Sequence, residues 1–165
     1  MIHILIGKGG SGKTWYLQHE LLKQADSPLV YYGLISVAAS WEGFTSATLL
    51  PIPKVETELS FSEVMAFELN DHYVYFKYHV EQLIELSKKA DVFLCIHKYD
   101  SIFEPLFELT SAITYFAMSP GPMLDTPRKY LPKPDKIREI YNFNECFDEH
   151  RYYTLILQEV QNESV

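Results

Sequence analysis

Eight residues near the start of the chain, Gly7-Lys8-Gly9-Gly10-Ser11-Gly12-Lys13-Thr14, combine three kinds of group at the spacing G-x-x-x-x-G-K-[ST]. Glycines let the backbone turn tightly and bring its N–H groups close to phosphate oxygens. Lys13 is a mobile point charge able to reach the β- and γ-phosphates of a nucleoside triphosphate. The Thr14 hydroxyl is a hard oxygen donor suited to Mg²⁺. Such a loop works only between a strand and a helix. The run Ile2-His3-Ile4-Leu5-Ile6 before it suits a buried central strand of a parallel sheet. The stretch Trp15 to Lys23 after it has no Gly or Pro, and Leu17, Leu21 and Leu22 repeat at helical spacing. A helix starting near Lys13 would aim the positive end of its dipole at the same anions.

These residues resemble the phosphate-binding loop of the P-loop NTPase superfamily. The resemblance is confined to residues 1–24 and implies binding of ATP with Mg²⁺ through Gly7 to Thr14. It does not by itself say which reaction is run. Hydrolysis needs further groups: an acid at the end of a neighbouring strand to hold Mg²⁺, and a polar group to orient the attacking water. Four apolar residues followed by an acid, Val64-Met65-Ala66-Phe67-Glu68, make Glu68 the first candidate for that acid and for a metal position beside Thr14. Asp71 is the reserve. His97, closing the apolar run Asp91 to His97, is a candidate for contact with the γ-phosphate or the water. The plain alternatives are an exposed helical Glu68 and a structural His97.

The elements that must position these groups read as follows. Leu29 to Ile35 forms a second strand after a break at Asp26-Ser27-Pro28. Residues 36–58 are irregular, with Pro51 and Pro53 excluding a helix there. Residues 60–90 admit two readings: a strand at Val64–Leu69 followed by a helix, or one long helix. Ser60-x-x-Glu63 matches a capping box, and Phe61, Met65, Leu69, Tyr73, Phe76, Val80 and Leu83 keep helical spacing, so local pattern favours the long helix. Further strands are expected at Asp91–His97, Ala112–Met118 and Tyr152–Gln158, and short helices at Ser101–Thr110 and Asp135–Tyr141. Strands alternating with helices predict an α/β fold. With the loop, this gives a P-loop NTPase-like three-layer α/β/α domain over residues 1–165, with a mainly parallel sheet of about five strands.

At 165 residues the chain is long enough for a substantial core. No apolar run is long enough to span a bilayer, and the start of the chain lacks a signal-peptide pattern, so a cytoplasmic location is expected. Cys95 and Cys146 make no disulfide framework. The net charge of −8 argues against a surface devoted to nucleic acid. One basic stretch, Arg128, Lys129, Lys133, Lys136 and Arg138, is either a local nucleic-acid channel or a solvated loop.

The order of elements is also similar to that of the FtsK–HerA group, in particular compact viral DNA-packaging ATPases and Zot-like assembly ATPases. That likeness implies a ring-shaped homo-oligomer acting on DNA or in virion assembly, in a host cytoplasm or virion. The group commonly has Gln where this chain has His97, and its acid-tipped strand usually ends in Asp-Glu, where this chain reads Phe67-Glu68-Leu69-Asn70-Asp71. Lys8 also resembles the extra lysine of MinD/ParA ATPases, but Gly33-Leu34-Ile35-Ser36-Val37 lacks the acidic cluster that family places there. A small-molecule or nucleotide kinase fits the length, although only Arg128, Arg138 and Arg151 are available to clamp phosphates or serve as an arginine finger. A nucleotide-dependent switch that hydrolyses slowly is the third class.

Overall fold

All six residues of strand β1 (Ile2–Gly7) are buried, so the strand must be covered on both faces and flanked on both edges. The computed structural model describes residues 1–22, 28–33, 47–70, 76–116, 125–131, 133 and 152–157. Within them lie seven strands: β1, β2 (Leu29–Gly33), β3 (Ala47–Pro51), β4 (Val64–Asn70), β5 (Asp91–Ile96), β6 (Ala112–Phe116) and β7 (Tyr152–Ile156). They form one sheet in the order β3-β2-β4-β5-β1-β6-β7. The first six are mutually parallel, and β7 runs antiparallel to β6. β1 is central, between β5 and β6.

Because side chains alternate across a strand, the buried strands feed two separate cores. One contains Leu5, Leu29, Tyr31, Val64, Ala66, Phe93 and Cys95, closed by Tyr16 and Leu17. Those last two belong to helix α1 (Lys13–Tyr16) and the π-helical turn Leu17–Leu22 that continues it. The other core contains Ile4, Ile6, Tyr32, Met65, Phe67, Leu94 and Ile96. It is covered by Val80 and Leu83 of helix α2 (Val80–Ser87) and by Leu106 and Phe107 of helix α3 (Glu104–Leu109). The result is the three-layer α/β/α arrangement of a P-loop NTPase-like fold. At the centre of the second core, Phe67 stacks on Tyr32 (4.9 Å between centroids, 6° between planes) and meets Phe76 edge-on. Phe67→Ala would cost about 3–5 kcal/mol through lost burial and the cavity left behind.

Two expectations change. The favoured long helix over residues 60–90 is not formed: Val64–Asn70 is strand β4, and among the described residues of that stretch only Val80–Ser87 is α-helix, preceded by a 3₁₀ turn at Phe76–His79. The decisive point is that every residue from Val64 to Leu69 is buried. A helix would expose one side of that run, whereas a strand paired to β2 and β5 buries both of its faces. The region 36–58, read as irregular, contains β3, an edge strand that tolerates Pro51 at its end. With β3 the sheet has seven strands, six of them parallel, in keeping with the mainly parallel sheet expected. The helix expected at Asp135–Tyr141 lies outside the described residues.

Candidate functional site

Sheet order builds the site. β4, β5 and β1 are consecutive parallel neighbours, so their C-terminal ends lie side by side. β1 leads directly into the loop Gly7–Thr14, β5 ends just before His97, and Glu68 lies near the end of β4. Ligands of open parallel sheets bind at this edge.

The loop is tight. Gly10 and Gly12 have φ of 76° and 95°, a left-handed conformation that side chains disfavour. At Gly7 the constraint is space: a Cβ there would stand 2.7 Å from both Phe116 Cβ and Ser11 Oγ. The Ser11 amide donates to the Lys8 carbonyl (3.1 Å), closing the turn. Lys13 is 5% exposed, and its ammonium donates to the Gly7 carbonyl (2.6 Å) and the Lys8 carbonyl (3.0 Å). Its charge is therefore held at the loop's inner rim. Gly9 and Gly10 are exposed, and no atom lies within 4 Å of where a Gly10 side chain would be. The buried Ser11 hydroxyl has no hydrogen-bond partner, so a polar acceptor or donor at the loop would find one there.

At the end of the loop, the Thr14 hydroxyl donates to Glu68 Oε1, joining residues 54 positions apart. The Tyr31 hydroxyl donates to the other carboxylate oxygen, Oε2. Glu68 is 3% exposed. Its Cα is in register with Cys95, on the face covered by α1. The Cys95 thiol is pushed well above its ordinary value by burial, and further by the negative charge of Glu68, while Lys13 opposes the shift. The thiol is thus kept protonated between the site's two charges. His97 is half-buried, and its ring lies against the loop: a Cβ on Gly9 would stand 3.6 Å from His97 Cε1 and Nε2.

The structure thus brings together Lys13, Thr14, Glu68 and His97 around the loop. The strand reading of residues 64–68 carries Glu68 into the site, and an exposed helical position for it is excluded. Lys8 contributes its carbonyl, and its side chain is exposed. Asp71 lies outside the described residues. Tyr31 was missed by sequence reasoning. It is one of twelve tyrosines and sits in an apolar strand, where its ring reads as core. The signal that marks it is Gly33, two residues on and on the same face of the strand.

The donor set fits a magnesium–nucleotide complex. Mg²⁺ takes hard oxygen ligands, usually one or two from protein with the rest from phosphates and water. Thr14 and Glu68 supply oxygens of that kind at one point, with the Lys13 ammonium at the adjacent rim. When bound, the metal would neutralise charge on the outer phosphates.

Of the basic stretch, Lys129 is engaged elsewhere: it pairs with Glu104 (2.8 Å) and Glu108 (3.5 Å) of α3. Arg128 and Lys133 are exposed, and Lys136, Arg138 and Arg151 lie outside the described residues. No described helix is long and apolar enough to cross a membrane.

A scan against protein-family models gives no match, and a search of curated proteins gives none. Among solved structures, the X-ray structure of the Legionella pneumophila ATPase DotB is similar at 13% identity with a TM-score of 0.42. The alignment covers 69% of this chain, which spans 40% of the length of that neighbour. A likeness of this size carries no weight for function, which rests on the residues of the site.

Proposed function

We propose that this chain binds ATP with Mg²⁺ at the loop Gly7–Thr14 and hydrolyses its γ-phosphate bond. The observation that carries the proposal is the hydrogen bond from Thr14 to Glu68. A buried carboxylate from a separate strand meets the hydroxyl that, by the loop's pattern, is the metal donor. Lys13 would shift from the loop carbonyls to the β- and γ-phosphates. Thr14 and Glu68 would hold Mg²⁺, Glu68 directly or through water. Charge developing in transfer would be stabilised by Lys13, the metal and loop N–H groups. His97, against Gly9, is the polar group best situated to contact the γ-phosphate or the attacking water, and Asp71 is kept as a second acid. The test is steady-state phosphate release from ATP, paired with calorimetric ATP binding, for wild type, Lys13→Ala and Glu68→Gln.

The finer role we propose is a compact motor or assembly ATPase acting on nucleic acid as a ring of subunits. Its support is the order of elements, with a His97-tipped strand between the loop strand and the acid-tipped strand. Turnover stimulated by DNA, with stimulation that fades as salt rises, is the expected result. Turnover indifferent to DNA at every salt concentration would remove that role and leave the ATPase. Release of no phosphate, with transfer to an added acceptor, would mean a kinase. Binding without either would mean a switch.

A further inference from the structure

We propose that Tyr31 is a positioning residue for the metal-side carboxylate: its phenol occupies Glu68 Oε2 so that only Oε1 faces Thr14 and the metal of the bound nucleotide. The inference rests on the magnesium–nucleotide reading above and adds a residue to it.

Two observations carry it. The first is the hydrogen bond from the Tyr31 hydroxyl to Glu68 Oε2, with the Thr14 hydroxyl on Oε1. A glutamate side chain ends in a rotor that can present either oxygen, or both at once, to a cation. A donor on one oxygen removes that freedom, as outer partners do for metal ligands generally. The second is the path the ring takes. Tyr31 is in register with Ala66 on β4, two residues before Glu68 on the same face, so the ring must lean along the strand to reach the carboxylate. It does so across Gly33. A Cβ at Gly33 would stand 2.3 Å from the Tyr31 hydroxyl oxygen, 2.5 Å from Cζ and 2.7 Å from Cε1. Only a residue without a side chain leaves that space. The ring alone would be satisfied by a phenylalanine among Leu29, Val64, Ala66 and Cys95. The hydroxyl is what links β2 to the site.

The test uses the full chain with a non-hydrolysable ATP analogue, reading Mn²⁺ bound to the complex by electron paramagnetic resonance. Tyr31→Phe is expected to weaken Mn²⁺ binding roughly tenfold, while affinity for the analogue without metal stays within about twofold of wild type. In a Glu68→Gln background the same change should cost nothing more, since the two act as a unit. Gly33→Ala keeps the hydroxyl but displaces it, and should give the same loss of metal affinity. If one variant fails to fold, the other decides. Unchanged Mn²⁺ affinity in a folded variant would overturn the proposal, as would an equal loss in the Glu68→Gln background, the mark of a merely structural effect. Wild type that binds no Mn²⁺ with the analogue would instead sink the magnesium–nucleotide reading, and this proposal with it.

Discussion

Two carboxylates among the described residues are each held by tyrosine hydroxyls, on opposite sides of the sheet. Glu68, on the α1 face, receives Tyr31 on one oxygen and Thr14 on the other. Glu104, on α3, receives Tyr99 on one oxygen and Tyr130 (3.2 Å) with Lys129 (2.8 Å) on the other. Glu104 is partly exposed, and hydrogen bonds from Lys129 and then Tyr99 hold its carboxyl below the usual range. The same acid lifts Tyr99 to about 12, after burial as the first cause. This second arrangement is a surface latch that fastens the turn Arg128–Tyr130 to α3, helped by the Tyr115 hydroxyl on the Tyr130 carbonyl. Similar donors around a similar acid thus serve two ends. An ammonium beside Glu104 completes a local structure, whereas Glu68 is buried with hydroxyl donors at the rim of a loop whose pattern is that of anion binding.

The predictions that break or sharpen this contrast run from large to small. Lys13→Ala should weaken ATP binding by about a hundredfold or more and abolish turnover, by loss of the charge aimed at the outer phosphates. ATP binding heats unchanged from wild type would contradict the role of the loop. Glu68→Gln should leave ATP affinity within a few-fold of wild type and lower turnover roughly a hundredfold. An unchanged turnover number would move the acid's role to Asp71.

His3 sharpens the buried side. Its ring lies on the α1 face beside Phe93, with Nε2 2.8 Å from the Thr114 hydroxyl, and burial lowers its pKa from 6.5 to about 4. A lowered folded-state value means that the unfolded chain binds the proton more readily. Its contribution is therefore full above about pH 6.5 and is lost as pH falls towards 4, by about 3 kcal/mol in all. Urea midpoints should fall across that window in wild type and stay flatter in His3→Phe; equal slopes would show that His3 is not the group responsible. The smallest effect is expected at the latch. Glu104→Gln should lower Tm by about a few degrees at most, since Glu104 is partly exposed and its charged partner Lys129 is exposed, and should leave ATP affinity unaltered. Its effect on Tm should shrink as the solution is acidified through the depressed carboxyl range, where wild-type Glu104 is also neutral. A change in ATP affinity would tie the latch to the site.

Much of this was legible in the sequence. The loop and its flanking strand were readable because each position has a chemical requirement that few residues meet. Glu68 was reachable from four apolar residues ending in an acid, yet the same stretch satisfied a helical period. What separates the two is burial on both faces between β2 and β5, which no local window contains. β3 was hidden because an edge strand ending in Pro51 reads as loop. Tyr31 was hidden because aromatic residues in an apolar strand have a sufficient explanation in packing. Only its approach to Glu68 over a bare Gly33 gives the hydroxyl a role.

The most direct test of the central claim is phosphate release from ATP by wild type and Glu68→Gln, each with and without Mg²⁺. The account predicts turnover by wild type that requires Mg²⁺ and falls roughly a hundredfold in Glu68→Gln. Turnover that ignores Mg²⁺, or that survives intact in Glu68→Gln, would contradict a metal–nucleotide site built from Thr14 and Glu68.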